Sequence, residues 1–398
     1  MAGYGATAAV AILTAMLSVA LPSVTAAAEL AVSGDYWADY WAQQQAGNAR
    51  QQVSDGAGWL PGPQGDVTAA PKTFLSGIEL SLAGTLTDEL SAAVELSSDG
   101  AGVAMDQAFA RLALPGSVTV TAGLCDMPFG REYIGSGDGA DDDAVFINDF
   151  SQRDNAVLRG TTDLGLVLSG ATDDALLTWS LALFNGSLCS VADSAGVTGA
   201  AAIDNNDAKS VAGQLLVRPR SNVYLLGSYA AGDYPNPFTG RAARYAAAGI
   251  GAGVVLFDQL NFNGEWAAVR HEKMMYDFGM GTGEPRGELV AARVNEFSIT
   301  AAYTGPSDWN CGVRYGVVDP RNIEAEVDAG FARETQTSVG VRYRFAENAE
   351  LYVELSHIET DLSHYDKYDA ARLGAGATRL ESNDPDDDIL DIELIAYY

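Results

Sequence analysis

Charged residues of both signs stand at positions where they could act on a solute. The acidic set lies in the polar segment 127–154 and consists of Asp138, Asp141, Asp142, Asp143 and Asp149. The basic set occupies polar positions of alternating segments and consists of Arg111, Arg159, Arg314, Arg342 and Arg344. If segment 127–154 folds inward across a water-filled space, the two sets face each other and create a transverse field that orients polar solutes. The residue types therefore favour selection of solutes at a constriction.

This arrangement depends on the strands that flank the acidic segment. Before it, the apolar residues Val118, Val120, Ala122 and Leu124 alternate with Thr119, Thr121 and Gly123. After it, a second alternating segment carries Leu158, Thr162, Leu164, Leu166 and Leu168 on one face. A period of two places successive side chains on opposite faces of a strand. Segment 127–154 itself has several glycines and few apolar residues, so we expect a long polar loop.

The same alternation recurs along the whole chain. Sixteen segments show it, at 30–41, 74–85, 88–98, 104–113, 117–126, 155–169, 175–185, 208–218, 221–231, 242–257, 260–271, 290–304, 308–318, 335–346, 349–360 and 387–398. Every second connection is a tight turn rich in Gly, Pro, Asn and Asp, and the others are mostly long and polar. Short turns on one rim and long loops on the other are the layout of an outer-membrane barrel.

The polar face of these strands is predicted to be wet. In segment 335–346, Val339 and Tyr343 face away from Arg342 and Arg344. Burying arginine in a dry core without a partner would cost several kcal/mol, whereas a water-filled lumen accepts it. The pattern therefore predicts an all-β fold, a transmembrane antiparallel β-barrel of about sixteen strands with lipid outside and water inside.

The amino terminus is predicted to direct export. Residues 1–28 carry an apolar run, Pro22 and a small-residue series that ends before Glu29, which is the layout of a signal peptide. A membrane anchor is the alternative, but the apolar run is shorter than the about 20 residues that a spanning helix needs. We therefore expect residues 1–28 to be removed and residues 29–398 to form a single barrel domain.

Composition excludes several classes of function. The formal net charge of −30 makes nucleic acid an unsuitable partner, because phosphate binding requires a basic patch. Three scattered cysteines do not form a zinc site, although a bridge between Cys125 and Cys189 is left open. The three histidines accompany no Gly-x-Ser-x-Gly or His-Glu-x-x-His signature, which argues against a hydrolase. We predict no cofactor, no metal site and no enzymatic activity.

One motif resembles a known family. The run Gly123–Gly130 ends a strand and contains Pro128, Phe129 and Gly130, and Asp149–Leu158 follows some twenty residues later. With Met105–Leu112 before it, this stretch resembles the LbtU-type siderophore porins, and its Pro-Phe-Gly step is similar to that of phosphate-selective porins. The resemblance is specific over about residues 104–160. It implies an outer-membrane channel, with siderophore passage in the first family and anion passage in the second.

Three alternatives stay open at this point. Segment 127–154 could instead be an external loop whose carboxylates bind Ca²⁺ or Mg²⁺ that bridge lipopolysaccharide phosphates. An anion-selective or phosphate-selective porin is the second, although only four lysines occur and an anion pore would need rings of basic residues. A structural or adhesive barrel with a plugged lumen is the third.

These observations lead to one expectation. We expect an outer-membrane porin that allows passive diffusion of small hydrophilic solutes and could include a siderophore among them. Its expected partners are outer-membrane lipid and lipopolysaccharide, and the barrel-assembly machinery that reads the aromatic end at Tyr398. Sixteen-stranded porins are usually trimers, so a homotrimer is also expected.

Overall fold

The chain forms a closed barrel. The computed structural model describes residues 29–46, 72–98, 103–131, 133, 145–146, 162–185, 209–235, 242–275, 289–305, 308–322, 333–361 and 386–397. Sixteen strands occur in these ranges, each antiparallel to its sequence neighbour, and the first also pairs with the last. Within the same ranges, no helix is long and apolar enough to cross a membrane.

The strands follow one another around the barrel in chain order. Their bounds are β1 Glu29–Ala46, β2 Lys72–Thr85, β3 Leu90–Ser98, β4 Ala104–Leu114, β5 Val118–Asp126, β6 Thr162–Ala171, β7 Leu177–Phe184, β8 Ser210–Arg220, β9 Val223–Pro235, β10 Ala242–Leu256, β11 Leu260–Met275, β12 Leu289–Tyr303, β13 Trp309–Asn322, β14 Arg333–Ala346, β15 Ala349–Asp361 and β16 Asp386–Tyr397. The register that closes the barrel runs from Asp35 opposite Tyr397 to Ala46 opposite Asp386. The predicted fold class and strand number are confirmed.

Several strand ends differ from the sequence prediction. β1 continues to Ala46 and β11 to Met275, where the alternation predicts ends at 41 and 271. β6 begins at Thr162, and the predicted start at 155 lies outside the described residues. In β1, ladder hydrogen bonds continue through the polar residues Gln43–Gln45, where the alternating pattern disappears, and in β11 they continue past a register shift between His271 and Met274. The sequence pattern therefore marks the lipid-facing part of a strand better than its full length.

The two faces of the barrel wall have opposite environments. Leu181 on β7, Ile250 on β10 and Val313 on β13 point outward and are 59%, 61% and 52% exposed. Near the short-turn rim, the rings of Trp309 and Tyr343 stack with centroids 4.2 Å apart on neighbouring strands. An apolar outer band flanked by interfacial aromatic residues is the surface that a bilayer stabilises.

Two cysteines lie in the described strands. Cys125 on β5 is buried and Cys311 on the outer face of β13 is exposed, and both are free thiols. Cys125 therefore carries no disulfide, and Cys189 lies outside the described residues.

A side chain stabilises the turn between β6 and β7. The Thr172 hydroxyl donates to Asp174 Oδ1 at 2.7 Å, and the Leu176 N–H donates to the same atom at 3.1 Å. Because both groups favour the charged form, they lower the pKa of Asp174.

We expect Asp174→Asn to lower the urea midpoint slightly at neutral pH. The difference from wild type should vanish as pH falls through the native pKa of Asp174, because protonation removes the same interaction. A midpoint difference that persists unchanged at low pH would contradict this assignment.

Candidate pore

The strand register identifies the residues that face the lumen. Arg111 on β4 lies opposite the buried Thr121 on β5, which lies opposite the buried Val167 on β6. Directly opposed residues share a face of the sheet, so Arg111 is on the inner wall.

Alternation along β13 and β14 places Arg314, Arg342 and Arg344 on the same wall. Arg159 lies outside the described residues.

Three of these arginines are paired with carboxylates. Arg314 Nη2 lies 3.3 Å from Glu354 Oε1, and both side chains are buried. Arg342 and Arg344 both donate to Glu350 Oε1, Arg344 from Nε at 2.8 Å. Sequence analysis missed these two glutamates, although they alternate on β15 in register with the arginines of β13 and β14. Two glutamates therefore compensate two of the three positive charges, and one net positive charge remains near the exposed Arg344.

Glu350 joins three strands. Its second oxygen, Oε2, accepts hydrogen bonds from Tyr352 at 3.0 Å and from Tyr397 at 3.2 Å. Tyr397 belongs to β16, and its backbone N–H donates to Asn348 O in the β14–β15 turn at 2.9 Å. One buried carboxylate thus connects β14, β15 and the closing strand near the short-turn rim.

Carboxylates dominate the other side of the lumen. We name the following six residues the acidic wall: Asp35 on β1, Glu79 on β2, Glu95 on β3, Asp126 at the end of β5, and Asp391 and Glu393 on β16. Asp35 lies directly opposite Glu79, and Gln107 Nε2 donates to Asp126 Oδ2 at 2.9 Å. The acidic wall was not predicted, because its members come from five separate strands. The detectable signal was a carboxylate at the polar position of successive strands.

The acidic wall borders the open part of the lumen. Glu79 is exposed, Asp35, Glu95, Asp126 and Glu393 are half-buried, and Asp391 is 2% exposed. On the opposite wall, inner-face residues such as Ala230 on β9 and Ala267 on β11 are completely buried. Among the described residues, this difference in exposure indicates an aqueous passage beside β1, β2, β3 and the Glu393 end of β16.

The buried wall is covered by the start of the third loop, residues 127–161. Phe129 is 0% exposed and packs in an apolar cluster with inner-face residues of β6 to β13.

The Gly130 N–H donates to Ser228 Oγ at 3.1 Å, and Gln214 Nε2 donates to Gly130 O at 2.6 Å. The Arg131 N–H donates to the Glu265 carboxylate, with distances of 3.2 and 3.3 Å to its two oxygens. Motif residues Pro128, Phe129 and Gly130 are buried within the barrel.

A second described part of this loop reaches a different region of the wall. Val145 is 0% and Phe146 is 6% exposed. The Arg314 guanidinium carbon lies 4.5 Å from the centroid of the Phe146 ring. Beside them, Gly312 on β13 lies opposite Gly340 on β14, so the inner wall has no side chain at this point.

The acidic residues predicted to form the constriction are not among the described residues. Asp138, Asp141, Asp142, Asp143 and Asp149 all fall in the undescribed parts of the third loop, so their role stays a prediction. Within the described strands and turns, no group of three His, Cys, Asp or Glu side chains is arranged to hold a metal ion.

Comparison with known proteins agrees with this geometry. A sequence profile of Gram-negative porins matches residues 6–363. The chain belongs to the Gram-negative porin family. This porin is therefore an outer-membrane protein of a channel-forming family. The profile does not assign the chain to the siderophore subtype. No curated protein has a matching sequence.

Solved porins share the fold of this porin at low sequence identity. The outer-membrane channel DcaP of Acinetobacter baumannii is 9% identical with a TM-score of 0.61, over 94% of this chain and 98% of that chain. An anion-selective porin from Comamonas acidovorans is 10% identical with a TM-score of 0.57, over 93% and 100% of the two chains. The trimer form of OmpT from Vibrio cholerae is 10% identical with a TM-score of 0.54, over 94% and 100%. At such identities the likeness concerns the fold alone.

Proposed function

We propose that this porin is a cation-preferring channel for passive diffusion of small hydrophilic solutes. The observation that carries the proposal is the acidic wall, which lines the exposed side of the lumen on β16, β1, β2, β3 and β5. Fixed charge of one sign along a narrow passage raises the local concentration of ions of the opposite sign. Cations are therefore favoured over anions.

The wall arginines oppose this preference only in part. Arg314 is buried against Glu354, and Glu350 accepts from both Arg342 and Arg344. Arg111 is the remaining described arginine of the predicted set, and its guanidinium carbon lies 5.2 Å from the centroid of the Phe109 ring. The exposed charge of Arg111 and the one positive charge left by the Arg342, Arg344 and Glu350 group are outnumbered by the six carboxylates of the acidic wall. The net field in the passage is therefore negative.

Neutralising the acidic wall should reduce cation preference. A unit charge about 7 Å from a passing ion in water changes its energy by about 0.6 kcal/mol, roughly a factor of three in local concentration. We expect Glu79→Gln and Glu95→Gln each to lower the cation-to-anion permeability ratio by up to that factor, and the double variant to lower it further. The measurement is the reversal potential of the refolded porin in a planar bilayer under a KCl gradient.

Glu359→Gln is the matched control for these variants. Glu359 carries the same charge on the outer face of β15, where its side chain is 65% exposed. It should leave the reversal potential unchanged. Cation preference that survives the double variant would remove the acidic wall as its cause, and anion preference of the wild type would favour the anion-selective alternative. A correctly folded barrel without conductance would favour the plugged structural barrel.

Siderophore passage is a narrower version of this proposal. It is supported by the resemblance of Gly123–Gly130 to the LbtU-type porins. Liposomes that contain the porin should then swell in an isotonic siderophore solution at a rate that exceeds the rate for a neutral sugar of similar mass. Equal or slower swelling would restrict the function to general diffusion.

Export and assembly complete the proposal. We propose that residues 1–28 are removed on export, that the acidic third-loop residues narrow the passage, and that the porin assembles as a homotrimer. The trimer form of OmpT, a protein with the same fold, supports the last point. An amino terminus at Glu29 in the membrane-extracted protein and a trimer mass in detergent would support these statements, and an intact amino terminus or a monomer mass would contradict them.

A further inference from the structure

We propose that a notch in the inner wall positions the third loop and thereby sets the width of the passage. The notch consists of Gly312 on β13, Gly340 on β14 and the side chain of Arg314, and it holds Val145 and Phe146. The inference shares one assumption with the proposed function, which is that ions cross the lumen. It does not depend on the sign of the ions that are preferred.

The two glycines provide the space that the loop occupies. A methyl group added at Gly340 would overlap the Val145 carbonyl oxygen and lie 3.0 Å from the Phe146 ring. A methyl group at Gly312 would lie 3.2 Å from the same ring, which is tight contact. Because the glycines are directly opposed on neighbouring strands, they form one continuous depression. A side chain at Gly340 would displace the loop from the wall.

Arg314 holds the loop from one side of the notch. Its guanidinium contacts the Phe146 ring and is itself held by Glu354 on β15. The Glu354 carboxylate also accepts from Ser356 Oγ at 2.9 Å, and Ser356 Oγ lies 2.7 Å from Ser338 Oγ. This buried network holds the guanidinium group on which the Phe146 ring packs. The Arg314–Glu354 ion pair thus stabilises the barrel wall and also holds the third loop in place.

The notch and the Gly130 anchor bind different sectors of the inner wall. Gly130 and Arg131 are bound by β8, β9 and β11, whereas Val145 and Phe146 are bound by β13 and β14. Neither anchor binds to β1, β2 or β3, which carry Asp35, Glu79 and Glu95 of the acidic wall. We expect a loop released from the notch to move toward the passage along β1 to β3, because the described inner wall is most exposed there.

A graded set of glycine variants tests the notch. We expect Gly340→Ala to reduce the unitary conductance, to increase brief closures and to raise the cation-to-anion permeability ratio, because the remaining passage lies closer to the acidic wall. Gly312→Ala should have a smaller effect in the same direction. Gly251→Ala, on the inner face of β10, is the matched control, because its methyl group would make only ordinary contacts at 3.5 Å or more. It should conduct like the wild type.

Two further variants test the arginine without introducing a clash. Phe146→Leu removes the ring, and Arg314→Lys keeps a positive charge beside Glu354 but loses the planar stacking. Each variant should increase the frequency of brief closures. The double variant should close about as often as either single variant, because both substitutions remove the same contact. Heat-modifiable migration in SDS gels verifies that every variant is folded, so a failure of Gly340→Ala to fold leaves these two as the test.

The outcomes separate this inference from the proposed function. Wild-type conductance and closure frequency in folded Gly340→Ala, or in both Phe146→Leu and Arg314→Lys, would overturn the notch. An equal effect of Gly251→Ala would also overturn it, since any inner-wall methyl group would then suffice. A wild-type channel without cation preference would refute the proposed function, while the conductance order of the glycine variants would still test the notch.

Discussion

Glu350→Ala is expected to lower the free energy of unfolding of the barrel by roughly 3 kcal/mol, the lower end of the range for breaking a buried ion pair. The Glu350 side chain is 3% exposed, and its Arg342 partner is 14% exposed. Its removal leaves a guanidinium without its carboxylate in a poorly hydrated place. The second partner, Arg344, is 53% exposed and can turn toward water, which keeps the loss at the lower end.

The loss should also affect barrel closure. Tyr397 on β16 donates to Glu350 Oε2, so the variant removes a side-chain link between the closing strand and the β14–β15 hairpin. We expect folded Glu350→Ala to unfold at a lower urea concentration in lipid vesicles, followed by tryptophan fluorescence. It should also lose its heat-modifiable migration in SDS at a lower temperature than the wild type.

Glu359→Ala provides the comparison for this prediction. It removes a carboxylate of the same length from the same strand at an exposed position, where a charge pair contributes about 0–1 kcal/mol. The ionic partner is His357, with Nε2 3.6 Å from Glu359 Oε1. Equal urea midpoints for the two variants would show that the Glu350 hydrogen bonds add nothing beyond surface charge.

Phe129→Ala is expected to destabilise the docked third loop by roughly 3–5 kcal/mol, the cost of emptying a fully buried phenylalanine site. Phe129 is 0% exposed and packs with residues that include Val269 on β11 and Val294 on β12, each at most 1% exposed. The strands on this wall leave little room to collapse, because their ladder hydrogen bonds fix their spacing. The cavity would therefore persist.

The effect of Phe129→Ala should reach both stability and conductance. Once the ring is lost, Gly130 and Arg131 keep only their hydrogen bonds to the wall, so the loop detaches more often. We expect larger current fluctuations in single-channel recordings and a lower urea midpoint. The control is Phe257→Ala, because Phe257 is 84% exposed in the β10–β11 turn and its removal should change stability by about 0.5 kcal/mol or less. Single-channel currents as steady as those of the wild type in Phe129→Ala would show that this ring does not hold the loop against the wall.

Local sequence patterns were sufficient for much of the fold. The strand number, the inner position of Arg342 and Arg344 and the outer position of Val339 follow from a period of two, which needs only neighbouring residues. Turn residues such as those at 172–176 mark the short rim for the same reason. Strand ends were less accurate, because ladder hydrogen bonds continue where the apolar pattern has stopped.

The candidate pore depended on contacts that no local pattern contains. Sequence analysis placed Arg314 on the wall but could not pair it with Glu354, forty positions away, because the pairing depends on the registers of β13 with β14 and of β14 with β15. The acidic wall is a stronger example. Asp35 and Glu393 approach each other only because β1 pairs with β16 and closes the barrel.

The sequence by itself determined that this chain is a barrel with lipid on one face and water on the other, since alternation is encoded residue by residue. Tertiary structure alone decided which charges share the lumen and how they compensate one another, because closure and register join strands that are distant in the chain. It also decided where the third loop rests. Gly312 and Gly340 carry no signal in the sequence, and their function arises only when two strands place them side by side beneath Phe146.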